Sequence, residues 1–320
     1  MTFVAPPGYQ PIYNPSIPYT GPIYGGLRTG MSIYFQGRIE EQTTRFFVNL
    51  QCGEGEDSDI ALHFNPRFDG WDKVVFNSRQ GGSWESEENT RDMPFVLGEA
   101  FEMVIMVTGE GYQFKVNGRE FFTMPHRMPL ERVSAMLIGG DVYIQTINII
   151  GGGYPGGQGG YPGGQGGYPG GQGGGMEGMG GQPEYNPAVP FNTMIPGGMS
   201  PKRTIIIRGM IPYGADRFSV NMKVSRSRDI AFHMNPRVRE GTVVRNAMME
   251  GNWGPEEREL SVNPFMEGQY FDMSIRCGNQ RYKVFVNGQH LFDFPHRLQP
   301  FTQADMLEID GDVQISYIHF

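Results

Sequence analysis

Cysteine is almost missing from this chain of 320 residues: Cys52 and Cys277 stand far apart, and neither has a CxxC partner. Two such thiols exclude a disulfide framework and a cysteine-rich zinc site, and free thiols point to synthesis in the reducing cytoplasm. Positive charge is also scarce, with 26 Lys and Arg against 34 Asp and Glu, a formal net charge of -8. No broad basic surface is left to track phosphates, so nucleic acid is not expected as a partner. Long apolar runs are absent as well. Nothing approaches the roughly 18 apolar residues that span a bilayer, and membrane insertion is not expected. Met1 to Pro22 alternates Pro, Tyr and Gly and has neither the basic nor the apolar stretch of a secretory leader, which predicts a soluble cytoplasmic product.

What the chain has instead is glycine and proline, 47 and 24 residues, gathered at the amino terminus and in the middle. Tyr-Pro-Gly-Gly-Gln-Gly-Gly runs three times from Tyr154 to Gly174. Such a segment has too few apolar side chains to offset the entropy of ordering it and reads as a disordered tether. On either side the sequence repeats. Val116-Asn117-Gly118 and Pro125-His126-Arg127 return as Val286-Asn287-Gly288 and Pro295-His296-Arg297, and the lead-in Tyr13-Asn14-Pro15 returns as Tyr185-Asn186-Pro187. A duplicated domain follows. The expected division is a Pro/Tyr-rich tail at 1–18, a first domain at 19–150, a Gly/Pro-rich flexible linker at 151–184 and a second domain at 185–320.

Within the first copy the apolar residues alternate over short runs: 31–36, 45–50, 60–64, 73–77, 101–107, 112–116 and 141–147. No window repeats them at helical spacing. The expectation is all-β, with about ten or more strands per domain in two packed sheets. Asn117-Gly118 and Asn287-Gly288 supply the positive φ angles of tight hairpin turns.

Polar residues that strand alternation would turn to one side recur in both copies. In the second they are His233, Asn235 and Arg237, then Asn246, Trp253, Glu256 and Arg258; in the first, His63, Asn65, Arg67, Asn77, Trp84 and Glu87. Three polar residues at alternate positions make one sheet face wet. A sugar suits such a face, because its hydroxyls donate and accept while one side of a galactopyranose ring presents C–H groups to a flat indole. Taken singly, Trp253 suits a core, His233 a structural hydrogen bond and Glu256-Glu257-Arg258 a solvated turn. Their joint recurrence at nearly preserved spacing is what points to a site.

His-x-Asn-Pro-Arg, then Asn, then Trp-Gly-x-Glu-x-Arg resembles the carbohydrate-recognition signature of the galectins, and two copies about a Gly/Pro-rich linker resemble their tandem-repeat type. The resemblance implies two jelly-roll β-sandwich domains joined by a disordered Gly-rich linker. It also implies binding of β-galactoside glycans of the lactose and N-acetyllactosamine type on glycoproteins and glycolipids, without cofactor, metal or catalysis. His233, Asn235 and Arg237 would hold the galactose 4-hydroxyl and its neighbour, Asn246 and Glu256 the 6-hydroxyl. Trp253 would stack, and Arg258 would support Glu256 and the adjoining sugar. Two tethered sites would crosslink glycoconjugates, in cell adhesion or apical sorting. Export bypassing the secretory pathway would bring the protein outside the cell, and weak self-association through the tail is left open.

The first copy departs from the pattern at Glu85, where Gly is expected, and at Asn89, where the last Arg is expected. Loss of a charge-assisted contact of about 1.5–3 kcal/mol and a nearby negative charge predict weaker binding there, or a different preference beyond galactose. A glycosidase would need two opposed carboxyls about 5–10 Å apart, and each copy offers one Glu committed to arginine. The alternative reading is a protein-binding scaffold working without sugar. Of the remaining features, His126-Arg127 and His296-Arg297 read as structural anchors and Trp71 as packing or a ligand rim. Met176, Met179, Met194 and Met199 read as linker.

Overall fold

The computed structural model describes residues 9–151 and 182–320, and the linker repeats lie outside that range. Two compact units result, one from each copy. Each is a pair of antiparallel sheets enclosing one apolar core, and no α-helix occurs among the described residues.

In the first unit one sheet runs Tyr9–Tyr13, Tyr143–Ile150, Ser32–Arg38, Ala100–Val107, Gly111–Val116, Arg119–Pro125. The other runs Tyr19–Pro22, Ala135–Gly140, Phe46–Gln51, Ile60–Arg67, Lys73–Gln80, Ser83–Trp84, with Glu88–Thr90 also paired to Lys73–Gln80. The second unit repeats both orders with Glu184–Tyr185, Gln314–His319, Thr204–Met210, Tyr270–Cys277, Arg281–Val286, Gln289–Pro295, and with Phe191–Met194, Met306–Gly311, Phe218–Lys223, Ile230–Arg237, Thr242–Met249, Asn252–Trp253. These are the two jelly-roll sandwiches expected.

Alternation explains why these segments are strands. Phe46, Val48 and Leu50 turn inward to meet Ile33 and Phe35 of the opposing sheet, and Phe218, Val220 and Met222 do the same with Ile205 and Ile207. Each buried Phe or Leu stabilises the sandwich by about 1.5–3 kcal/mol relative to exposure. The residues between them face the other way and carry the polar groups. The Asn-Gly turns take the backbone their composition requires, with φ of 50° and 78° at Asn117 and Gly118 and 51° and 77° at Asn287 and Gly288. In both, the Asn side chain ties the turn to the neighbouring strand, Asn117 Oδ1 accepting from Glu102 N and Asn287 Oδ1 from Asp272 N, at 2.9 Å each.

Several expectations are corrected. The tail assigned to 1–18 contains the edge strand Tyr9–Tyr13, which pairs with Tyr143–Ile150 because Tyr9 is buried and Ile12 and Ile17 pack on the core. The linker assigned to 151–184 gives up Glu184 to a strand paired with Ile318. Met199 is fully buried in the second core and Met194 ends a strand paired with Met306, so neither is linker. Met176 and Met179 lie outside the described residues. Ala135–Gly140 shows no strand period in the sequence because its glycines hide the pattern. A Cβ on Gly139 would meet the Phe47 ring at 2.5 Å, and Gly140 needs a φ of 87°.

Candidate functional site

The polar sets assemble on the outward face of the sheet containing Ile60–Arg67 and Ile230–Arg237. His63 lies opposite Asn77 across one strand pair and opposite Asn49 across the other; His233 likewise faces Asn246 and Asn221. Trp84 pairs with Arg79, and Trp253 with Met248, on the short return strands. The structure therefore brings His63, Asn65, Arg67, Asn77, Trp84 and Glu87 together in the first unit. It does the same with His233, Asn235, Arg237, Asn246, Trp253, Glu256 and Arg258 in the second.

Each polar side chain has its orientation fixed by a neighbour. His233 Nδ1 donates to Asn221 Oδ1 at 2.6 Å, and Asn221 Nδ2 donates to Glu308 Oε1 at 3.0 Å. The carboxylate orients the amide, the amide oxygen requires the proton on Nδ1, and Nε2 is left as an acceptor. His63 meets Asn49 Oδ1 at the same 2.6 Å. Asn235 Nδ2 donates to the Phe218 carbonyl at 2.7 Å and its Oδ1 accepts from Arg237 Nε at 3.1 Å. In the first unit the Asn65 amide donates to the Phe46 carbonyl at 2.6 Å and accepts from Arg67 at 2.8 Å. Each guanidinium thus spends its Nε inside the protein and turns its outer nitrogens toward the face.

The indoles stand outside the core. Trp84 and Trp253 are 50% and 51% exposed, although their type favours burial. Their ring centroids lie 4.9 Å and 4.8 Å from those of His63 and His233, tilted by 59° and 58°. A rigid flat ring beside a hydrogen-bonding histidine presents an apolar face and a polar edge to one ligand.

Burial, reinforced by the Arg67 and Arg237 guanidiniums, pushes both imidazoles down from 6.5 to about 4. Nε2 therefore stays an acceptor near neutrality. Ligand affinity is expected to hold level from about pH 8 to about pH 5 and to fall as pH approaches 4. The unfolded imidazoles take up protons near 6.5 while the folded ones do not, so stability also falls as pH drops from about 6.5 to about 4. Affinity titrations and thermal melts at stepped pH check this; a loss of affinity centred near pH 6.5 would contradict it.

The two sites part company at their far end. In the second, Arg258 donates to Glu256 Oε2 through Nε at 2.9 Å and Nη2 at 2.7 Å, which holds that carboxyl below its usual range. Glu240 adds contacts of 3.4 Å to both Arg237 and Arg258, whereas Arg237 reaches Glu256 only at 3.9 Å. In the first, Glu87 has Lys73 at 3.4 Å and the Asn89 amide at 3.3 Å in place of a guanidinium fork.

Sequence reasoning sets Arg127 and Arg297 aside as anchors, and the structure places both against the site asparagines. His126 and His296 do anchor loops, through Nε2 to the Thr108 and Gly278 carbonyls at 2.8 Å. The arginines reach the site: Arg297 donates to Asn246 Oδ1 and the Pro255 carbonyl at 2.9 Å each and pairs with Glu257 at 2.9 Å. Arg127 reaches Asn77 Oδ1 at 3.2 Å, Ser78 Oγ at 3.3 Å and Glu88 at 2.8 Å. Gly254 explains the difference, since a Cβ there would lie 2.9 Å from the Arg297 guanidinium. Glu85 carries that Cβ, and the Arg127 contact to the site asparagine is longer. Recurrence of Pro-His-Arg in both copies was the available signal. Glu88 and Glu257 are each paired with one of these arginines.

No group of three or more His, Cys, Asp or Glu side chains among the described residues could hold a metal ion. The galactoside-binding lectin family matches residues 18–149 and 190–320. Galectin-4 of Bos taurus is 51% identical over 99% of this chain and 99% of its own. Galectin-4 of Sus scrofa is 52% identical and that of Homo sapiens 51%, each over 99% of both chains.

Proposed function

From the premise that this chain belongs to the galactoside-binding lectins, we propose that it is a bivalent β-galactoside-binding lectin that crosslinks glycoproteins or glycolipids. The observation that carries this reading is the repetition, in each unit, of a half-exposed indole beside a histidine whose Nδ1 proton is fixed by asparagine. In this reading the His Nε2, the amide and the outer guanidinium nitrogens of His233, Asn235 and Arg237 hold the galactose 4-hydroxyl. Asn246 and Glu256 hold the 6-hydroxyl, Trp253 stacks under the ring, and Arg258 and Arg237 reach the adjoining sugar. His63, Asn65, Arg67, Asn77, Trp84 and Glu87 take the same parts in the first unit, with Asn89 in the place of the last arginine.

At each such site a few hydrogen bonds plus one stacking face give modest affinity after ordering costs. Two sites on one chain convert that into avidity on a glycan-dense surface. Work in adhesion or apical sorting belongs to the proposal, as does synthesis in the cytoplasm followed by export outside the secretory route, supported by two cysteines in thiol form. The test is aggregation of vesicles bearing β-galactosides and its reversal by lactose, which a protein-binding scaffold would survive.

A further inference from the structure

Trp71 is unused by the site described above and is 77% exposed, more than any other large apolar side chain among the described residues. The Arg91 guanidinium lies over its ring, 4.7 Å from the centroid. The backbone puts this pair at the end of the first site. Arg67 and Lys73 are paired residues, and the five-residue connection between them carries Trp71. That connection is fixed by the Arg45–Asp69 ion pair, by Phe68 N donating to the Thr44 carbonyl at 2.7 Å, and by Phe68 packing on the core.

Asn89 lies on the short strand Glu88–Thr90, which pairs with Lys73–Gln80 through Val75↔Asn89 and Val74↔Thr90, and Glu87 and Arg91 flank that strand. Glu87 is joined to Asn89 and Lys73. Polar contacts therefore lead from Glu87 to Lys73, two residues from Trp71, and on to the indole with Arg91 over it. The second unit carries an acidic residue in the corresponding connection. Glu240 occupies its connection between Arg237 and Thr242 and ties up Arg237 and Arg258.

We propose that Trp71, held by Arg91, is a second stacking platform of the first unit and takes the C–H face of a sugar ring lying beyond the galactoside on its reducing side. The inference rests on reading the Trp84 site as the galactoside site, with the adjoining sugar toward Arg67 and Asn89. Cation–π attraction restrains the indole before ligand arrives, which lowers the ordering cost of using it. The first unit, lacking a guanidinium at Asn89, gains its extra contact from an aromatic face and not from a charge-assisted hydrogen bond.

The test uses the full chain carrying Trp253→Ala, so that only the first site is read, titrated with lactose and with a linear tetrasaccharide ending in β-galactose. The tetrasaccharide is expected to bind about fivefold more tightly than lactose. Trp71→Ala should bring that ratio near one without moving the lactose Kd, and Trp71→Phe should keep most of it. A ratio unchanged by Trp71→Ala overturns the platform and leaves the galactoside reading standing. Absence of lactose binding overturns both.

Discussion

Trp253→Ala is expected to weaken lactose binding by the second unit about thirtyfold or more and to leave the first unit unchanged; Trp84→Ala should do the reverse. A buried or ligand-facing Trp is among the residues whose truncation costs about 2 kcal/mol or more in a binding site, and that cost corresponds to the thirtyfold figure. Here the indole supplies the whole apolar face of the site, because the surrounding positions are His, Asn, Arg and Glu. Half-exposed as they are, Trp84 and Trp253 contribute little to either core, so the melting temperature should hardly move. Calorimetric titration of each variant, with a thermal melt alongside, reads both quantities. Affinity retained in either variant would remove the indole from the binding surface.

Arg297→Ala should weaken ligand binding by the second unit about tenfold even though this arginine need not touch the sugar. Its guanidinium holds the Asn246 amide, the Pro255 carbonyl and Glu257 together, and its side chain is only 18% exposed. Truncation leaves Asn246 Oδ1 with the Ala247 amide alone and Glu257 without this partner. Losing such bonds costs about 1–3 kcal/mol of stability, and a freed Asn246 must be reordered when ligand binds. Arg127→Ala should have the smaller effect on affinity, because its contact to Asn77 is longer, 3.2 Å against 2.9 Å. Affinity measured well below each variant's melting temperature separates positioning from stability. A lower melting temperature with unchanged affinity would reduce both arginines to structural anchors.

Most of the architecture was legible because both governing signals are periodic. Period-two burial marked the long strands, and the 170-residue repeat exposed two domains at once. Among the strands that escape that period, Ala135–Gly140 hides behind glycines that make room for Phe47, and Tyr9–Tyr13 looks like tail because Pro11 interrupts it. In the site, the residues on Ile60–Arg67 and its equivalent were legible because alternation alone places them on one face. Asn49, Asn221 and Glu308 were not, since strand register and not sequence distance brings them to the histidines. Arg127 and Arg297 needed the second sheet's connections as well. Asn89 marks the first site as altered; that Lys73 fills in beside Glu87 is a side-chain contact that neither strand period nor register announces.

The most direct measurement of bivalent galactoside binding is turbidity of vesicles displaying a β-galactoside glycolipid, mixed with the full chain, with Trp84→Ala, or with Trp253→Ala. The full chain should aggregate the vesicles and excess lactose should disperse them, while each single variant binds vesicles without aggregating them. Aggregation that persists in excess lactose, or that survives loss of either tryptophan, would contradict the account.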